Sequence, residues 1–89
     1  MSFVVTSFES TPNPNAIKVV LDRSPTDVPR SYFRADQASE DALASALFEI
    51  DGVTNVLIHL GWITVGRDPR RDWASIKAGI ERVLRHAAR

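Results

Sequence analysis

Residues 53–65, VTNVLIHLGWITV, decide how this chain folds. Two short β-rich runs meet at Leu60-Gly61, and with those two residues as the whole loop, Ile58 pairs with Ile63 and Val56 with Val65. All four branched side chains then share one face of the ribbon, which has to be covered. Asn55, Leu57, His59, Trp62 and Thr64 make up the opposite face, a mixed set that tolerates water. A two-stranded ribbon alone is marginal in water, so the helix-period segments on either side are its expected cover.

Upstream of the hairpin, Ser39 is the expected N-cap of a first helix, with Glu40 and Asp41 at its positive end and Gly52 as its left-handed stop. Leu43, Ala46, Leu47 and Ile50 follow at i, i+3, i+4 and i+7, a single apolar stripe. Downstream, Gly66 to Arg71 with Asp68-Pro69 reads as a turn, and Asp72 caps a last helix running toward His86. Its inner face is Trp73, Ile76, Ile80, Val83, Leu84 and Ala87, and Gly79 is read as allowing a close approach to the sheet.

The N-terminal part reads as strands. Phe3 to Phe8, FVVTSF, is dense in β-branched and aromatic residues, and Ile17, Val19 and Leu21 alternate with Lys18, Val20 and Asp22. Between them lies ESTPNPN, Glu9 to Asn15, where each proline lacks an amide donor and restricts the residue before it. A stiff, structured loop is expected there. Asp22 to Arg30 reads as a second loop, and Ser31 to Arg34 as a short edge strand. The order β-β-(β)-α-β-β-α implies an α+β two-layer sandwich, a mainly antiparallel sheet of four to five strands with two helices on one face and the other face open.

Composition limits what such a body can do. Residues 1–89 make a single domain, with roughly 60–65% of the unfolded surface buried at this size. Eleven basic residues balance eleven acidic ones, so no global field attracts nucleic acid or membrane. Cysteine is absent, which excludes disulfides, thiolate catalysis and cysteine-held zinc or iron-sulfur sites within this chain. No apolar run approaches the roughly 20 residues of a membrane helix and no signal-peptide pattern opens the chain, so a cytoplasmic location is expected.

Two stretches together, Glu9 to Arg23 (ESTPNPNAIKVVLDR) and Ala46 to Ile80 (ALFEIDGVTNVLIHLGWITVGRDPRRDWASIKAGI), carry a family resemblance. The motifs are TPNPN at Thr11 to Asn15, Leu47-Phe48 with Ile50, Gly52-Val53 with Val56, Ile63-Thr64-Val65, and Asp72-Trp73 with Ile76-Lys77. In this order the chain resembles the N-terminal domain of the Nfu family of iron-sulfur cluster scaffold proteins, here free-standing. In that family a second domain with a Cys-x-x-Cys motif holds the cluster, and nothing here matches it. The resemblance therefore implies a non-enzymatic protein-interaction module of iron-sulfur cluster assembly or delivery. Its partner would be a scaffold, carrier or recipient protein, and the chain itself would ligate no cluster and need no cofactor.

Candidate contact residues for such a partner are Thr11, Asn13 and Asn15 of the TPNPN loop, and Leu57, His59 and Trp62 on the mixed face of the hairpin. Each has a structural counterpart reading: asparagines close turns onto their own backbone, and a tryptophan packs over its own sheet. An alternative function, anion or nucleic-acid binding, rests on charge segregation. Residues 35–66 carry five acids and no lysine or arginine, whereas residues 67–89 carry seven basic residues against three acids. Arg70, Arg71, Arg82, Arg85 and Arg89 would form that face, although no aromatic residues interleave for base stacking. His59 and His86 lack partners at metal-ligand spacing, and no nucleophile, base or phosphate-loop pattern stands out, so neither a metal site nor catalysis is expected.

Overall fold

The computed structural model describes residues 3–87. Within them Val5–Ser10 (β1), Ala16–Leu21 (β2), Arg30–Tyr32 (β3), Val53–His59 (β4) and Trp62–Arg67 (β5) form one sheet in the order β1-β2-β5-β4-β3. Every pairing is antiparallel. The hairpin closes at Leu60-Gly61 with Ile58 opposite Ile63 and Val56 opposite Val65, as the alternation requires. Gly61 takes a φ of 85°, which glycine adopts without penalty.

One face of the sheet is sealed by helices Ala42–Phe48 (α1) and Trp73–His86 (α2). Val19 from β2, Val56 and Ile58 from β4, and Ile63 and Val65 from β5 are almost fully buried, beneath Leu47 of α1 and Ile76, Ile80 and Leu84 of α2. Period-two alternation in the strands and the i, i+4, i+8 spacing in α2 thus converge on one core. At the N-terminal end, Phe3 leaves the ladder but is itself buried, and its amide donates to the Leu84 carbonyl at 2.9 Å. Strand β1 consequently starts two residues later than the aromatic-rich run suggests.

The start of α1 also differs from expectation. Ser39 follows a short 3-10 turn at Ala35–Ala38, and the N-cap is Asp41, whose Oδ1 accepts from the Ala44 amide at 3.1 Å. The same carboxylate, 7% exposed, accepts at Oδ2 from the Tyr32 hydroxyl and from Arg30 Nη1, both at 2.8 Å. Three positions compete for the cap in Ser39-Glu40-Asp41, and the one that also meets β3 wins. Burial, then the hydrogen bond to Asp41, raise the Tyr32 phenol above its ordinary value. Along α1 the buried residues are Ala44 and Leu47, while Leu43 and Ala46 are half-buried, as is Ile50 just past its C-terminal end.

Glycine 52 ends this segment at φ 97°, and any side chain there would run into Arg71. Gly79 serves a neighbour other than the expected one. A Cβ at that position would stand 3.0 Å from Ile50 Cγ2, so the close approach is to the segment after α1, not to the sheet.

Candidate functional site

With both helices on one side, two rows of side chains cross the uncovered face of the sheet. The register sets Ser7, Val20, Trp62 and His59 side by side in one row, and Glu9, Lys18, Thr64, Leu57 and Ser31 in the next. Trp62 and His59 stack with ring centroids 4.5 Å apart and an interplanar angle of 11°. Lys18 reaches across from the second row, its Nζ 4.9 Å from the centre of the Trp62 ring. The three hairpin residues proposed from sequence thus share this face, and each is half-buried. His59 Nδ1 is enclosed and finds no hydrogen-bond partner among the described residues, while its ring stacks on Trp62. At the tip beside them Leu60 is exposed.

The TPNPN loop lies at the opposite end of the sheet, because β2 runs from Ala16 beside Gly66 to Val20 beside Trp62. Thr11 Oγ1 donates to the carbonyl oxygens of Asn13 (2.8 Å) and Ala16 (3.0 Å) and accepts from the Asn13 amide. Asn13 Oδ1 accepts from the Asn15 amide at 2.9 Å, an Asx-turn. Three longer-range ties hold the loop to the rest of the chain, one of them from Arg67 Nε to Asn15 Oδ1 at 3.4 Å. The Asn15 carbonyl accepts from the Arg67 amide at 2.7 Å, and the Pro14 carbonyl accepts from Trp73 Nε1 at 3.4 Å. Arg67 also lies over the Trp73 ring, 4.9 Å from its centre. Asn13→Ala is expected to cost about 1 kcal/mol through the lost Asx bond, lowering Tm by about 4–8 °C. Asn15→Ala should cost less, since it gives up only the long 3.4 Å bond that its Oδ1 accepts from Arg67 Nε, while its backbone bond from the Arg67 amide survives. A thermal melt of each variant checks both.

The arginines of the alternative reading are spread along α2 and its preceding turn. Arg70 holds Asp68 through Nε and Nη2 at 3.2 and 2.9 Å, and its side chain and amide lower the Asp68 carboxyl to about 2. Arg71 pairs with Asp51 at 3.4 Å. Arg82 and Arg85 are exposed, Arg82 beside α1 and Arg85 beside Phe3 and Val4. Arg89 falls outside the described residues.

An iron-sulfur cluster does not fit this chain. It has no cysteine, and among the described residues no group of three histidine, aspartate or glutamate side chains could hold a metal ion. No described helix is long and apolar enough to cross a membrane. What the geometry offers is an amphipathic surface, with the aromatic stack, Leu57 and Val20 toward its hairpin end and polar groups beside them.

The profile of the family described as scaffold protein Nfu/NifU N terminal matches residues 5–89. A NifU-like protein of Schizosaccharomyces pombe is 34% identical over 79 residues, covering 85% of this chain and 30% of its own length. Conserved virulence factor C of Staphylococcus aureus is 29% identical over 73 residues, covering 82% of this chain and 20% of its own length. The chain therefore spans less than a third of these curated relatives. Among solved structures, a NifU-like protein from Saccharomyces cerevisiae superposes with a TM-score of 0.75 at 23% identity, covering 91% of this chain and 76% of that one. A Staphylococcus aureus crystal structure superposes with a TM-score of 0.73 at 21% identity, covering 90% and 96%. At these identities the structural matches speak for the fold.

Proposed function

Since the chain belongs to the Nfu/NifU N-terminal family, we propose that it is a non-enzymatic docking module of iron-sulfur cluster assembly or delivery. It would bind a scaffold, carrier or recipient protein through the open face of its sheet. The observation that carries this reading is the Trp62–His59 stack, placed with Leu57 and Val20 on the layer that neither helix covers. Tryptophan anchors are enriched where protein surfaces meet, and an aromatic pair already stacked loses little freedom on contact. The absence of cysteine supports docking over cluster holding as the chain's own task. The anion-binding alternative has less support, because Arg70 and Arg71 are already engaged by Asp68 and Asp51.

Affinity capture at native expression tests the proposal. The wild-type chain is expected to recover cluster-assembly proteins, and Trp62→Ala to weaken that capture by about 2 kcal/mol, roughly thirtyfold in affinity. Equal recovery by both chains, or no cluster-assembly protein recovered by the wild type, overturns it. A melting curve of Trp62→Ala separates lost docking from lost folding.

A further inference from the structure

The sheet has two outer strands. β3 has three residues, but β1 has six, and its outer side is paired with no described strand. Ser7 to Ser10 pair residue for residue with β2, and the one irregularity, between Val5 and Ser7, falls at the far end. An outer strand of this length carries a row of free amide and carbonyl groups.

Helix α2 overhangs that edge. Lys77 stands over the Phe8 ring with Nζ 5.3 Å from its centre, and a cavity of about 390 Å³ opens there between β1, the TPNPN loop, Trp73 and Lys77. Further along, a second cavity of about 240 Å³ is lined by Phe3, Val4 and Val5 on one side and Glu81 and Arg85 on the other. Edge strand and helix therefore form the two walls of a trough with a recess toward each end.

Lys77, Glu81 and Arg85 lie four residues apart, at i, i+4 and i+8 of α2. None of the three makes an ion pair with a described residue, although each could reach its neighbour on the helix. A rise of 1.5 Å per residue spaces these charges by about 6 Å. In an extended strand, residues i, i+2 and i+4 face one side at a spacing of about 6.6 Å. The two repeats differ by only about 0.6 Å per step, so three successive pairs stay within reach of one another.

We propose that the trough between the free edge of β1 and α2 binds an extended segment of a partner protein. That segment adds as a sixth strand and presents acidic, basic and acidic side chains in turn to Lys77, Glu81 and Arg85. Main-chain bonds to β1 supply the attraction common to any strand, and the alternating charges choose the sequence and its register. The surface is separate from the open sheet face, so variants of Trp62 leave it intact.

Two blocked heptapeptides of valine and threonine test the idea. One has glutamate, lysine and glutamate at its second, fourth and sixth positions, and the other has the reverse charges. Titrated into the 15N-labelled chain at low salt, the first is expected to shift the amides of Ser7 to Ser10 and slow their exchange, and to bind about tenfold more tightly than the second. The triple variant K77E/E81K/R85E is expected to prefer the second peptide. That reversal cannot come from misfolding, since an unfolded chain would bind neither selectively. Equal affinity for the two peptides, shifts confined to β3 or to the open face, self-association at β1, or no shift at millimolar peptide overturns the proposal.

Discussion

Leu47→Asp is expected to leave the chain without a cooperative unfolding transition at 25 °C. Leu47 is fully buried, on a helix that packs against both β4 and α2. Removing a buried leucine side chain costs about 2–5 kcal/mol, and placing a carboxyl group with no partner in that space costs several more. A domain of 89 residues has roughly 5–13 kcal/mol of net stability, so this one change consumes most or all of it. Far-UV circular dichroism and the dispersion of amide resonances read the outcome. Leu47→Met, which conserves volume, is expected to cost under about 1.5 kcal/mol. A Leu47→Asp chain with native dispersion and an unchanged melt would show that α1 is not part of the core.

The second large effect is expected at Asp41. Its carboxylate caps α1 and at the same time receives Tyr32 and Arg30 from the edge strand β3. Asp41→Ala removes the cap, worth about 1 kcal/mol, and leaves the Arg30 guanidinium without its anion. Breaking a buried pair from one side costs about 3–5 kcal/mol, but the Arg30 side chain is 35% exposed, so water recovers part of this. A total near 3 kcal/mol is expected, as a lower urea midpoint at unchanged slope. Asp41→Asn keeps an acceptor for Ala44 and Tyr32 and should lose about half as much. A loss under about 1 kcal/mol for the alanine variant would mean that β3 is held by its ladder to β4 alone.

The contrast between these residues shows how far the sequence could be read. Leu47 and the hairpin aliphatics were legible because burial imposes periods of 3.6 and 2 that need no knowledge of topology. The Asx-turn of Asn13 was legible too, since its bond closes within two residues. Asp41 was misread as a first-turn residue because its deciding partners come from β3, and only the folded register brings Tyr32 to it. The Asn15–Arg67 bond, spanning 52 positions, left no local trace. Nor did the trough beside β1. That strand is outermost because β2 pairs on its other side with β5, an outcome of topology that no window of sequence contains.

The bond between the Phe3 amide and the Leu84 carbonyl brings the first and last described segments side by side. Polypeptide entering and leaving the body therefore does so at adjacent points, and such a unit can be spliced into a surface loop of a larger host with short joints and no rearrangement of either. The same adjacency makes it a natural candidate for circular permutation, with the segments at Phe3 and Leu84 linked and the chain opened at Leu60-Gly61.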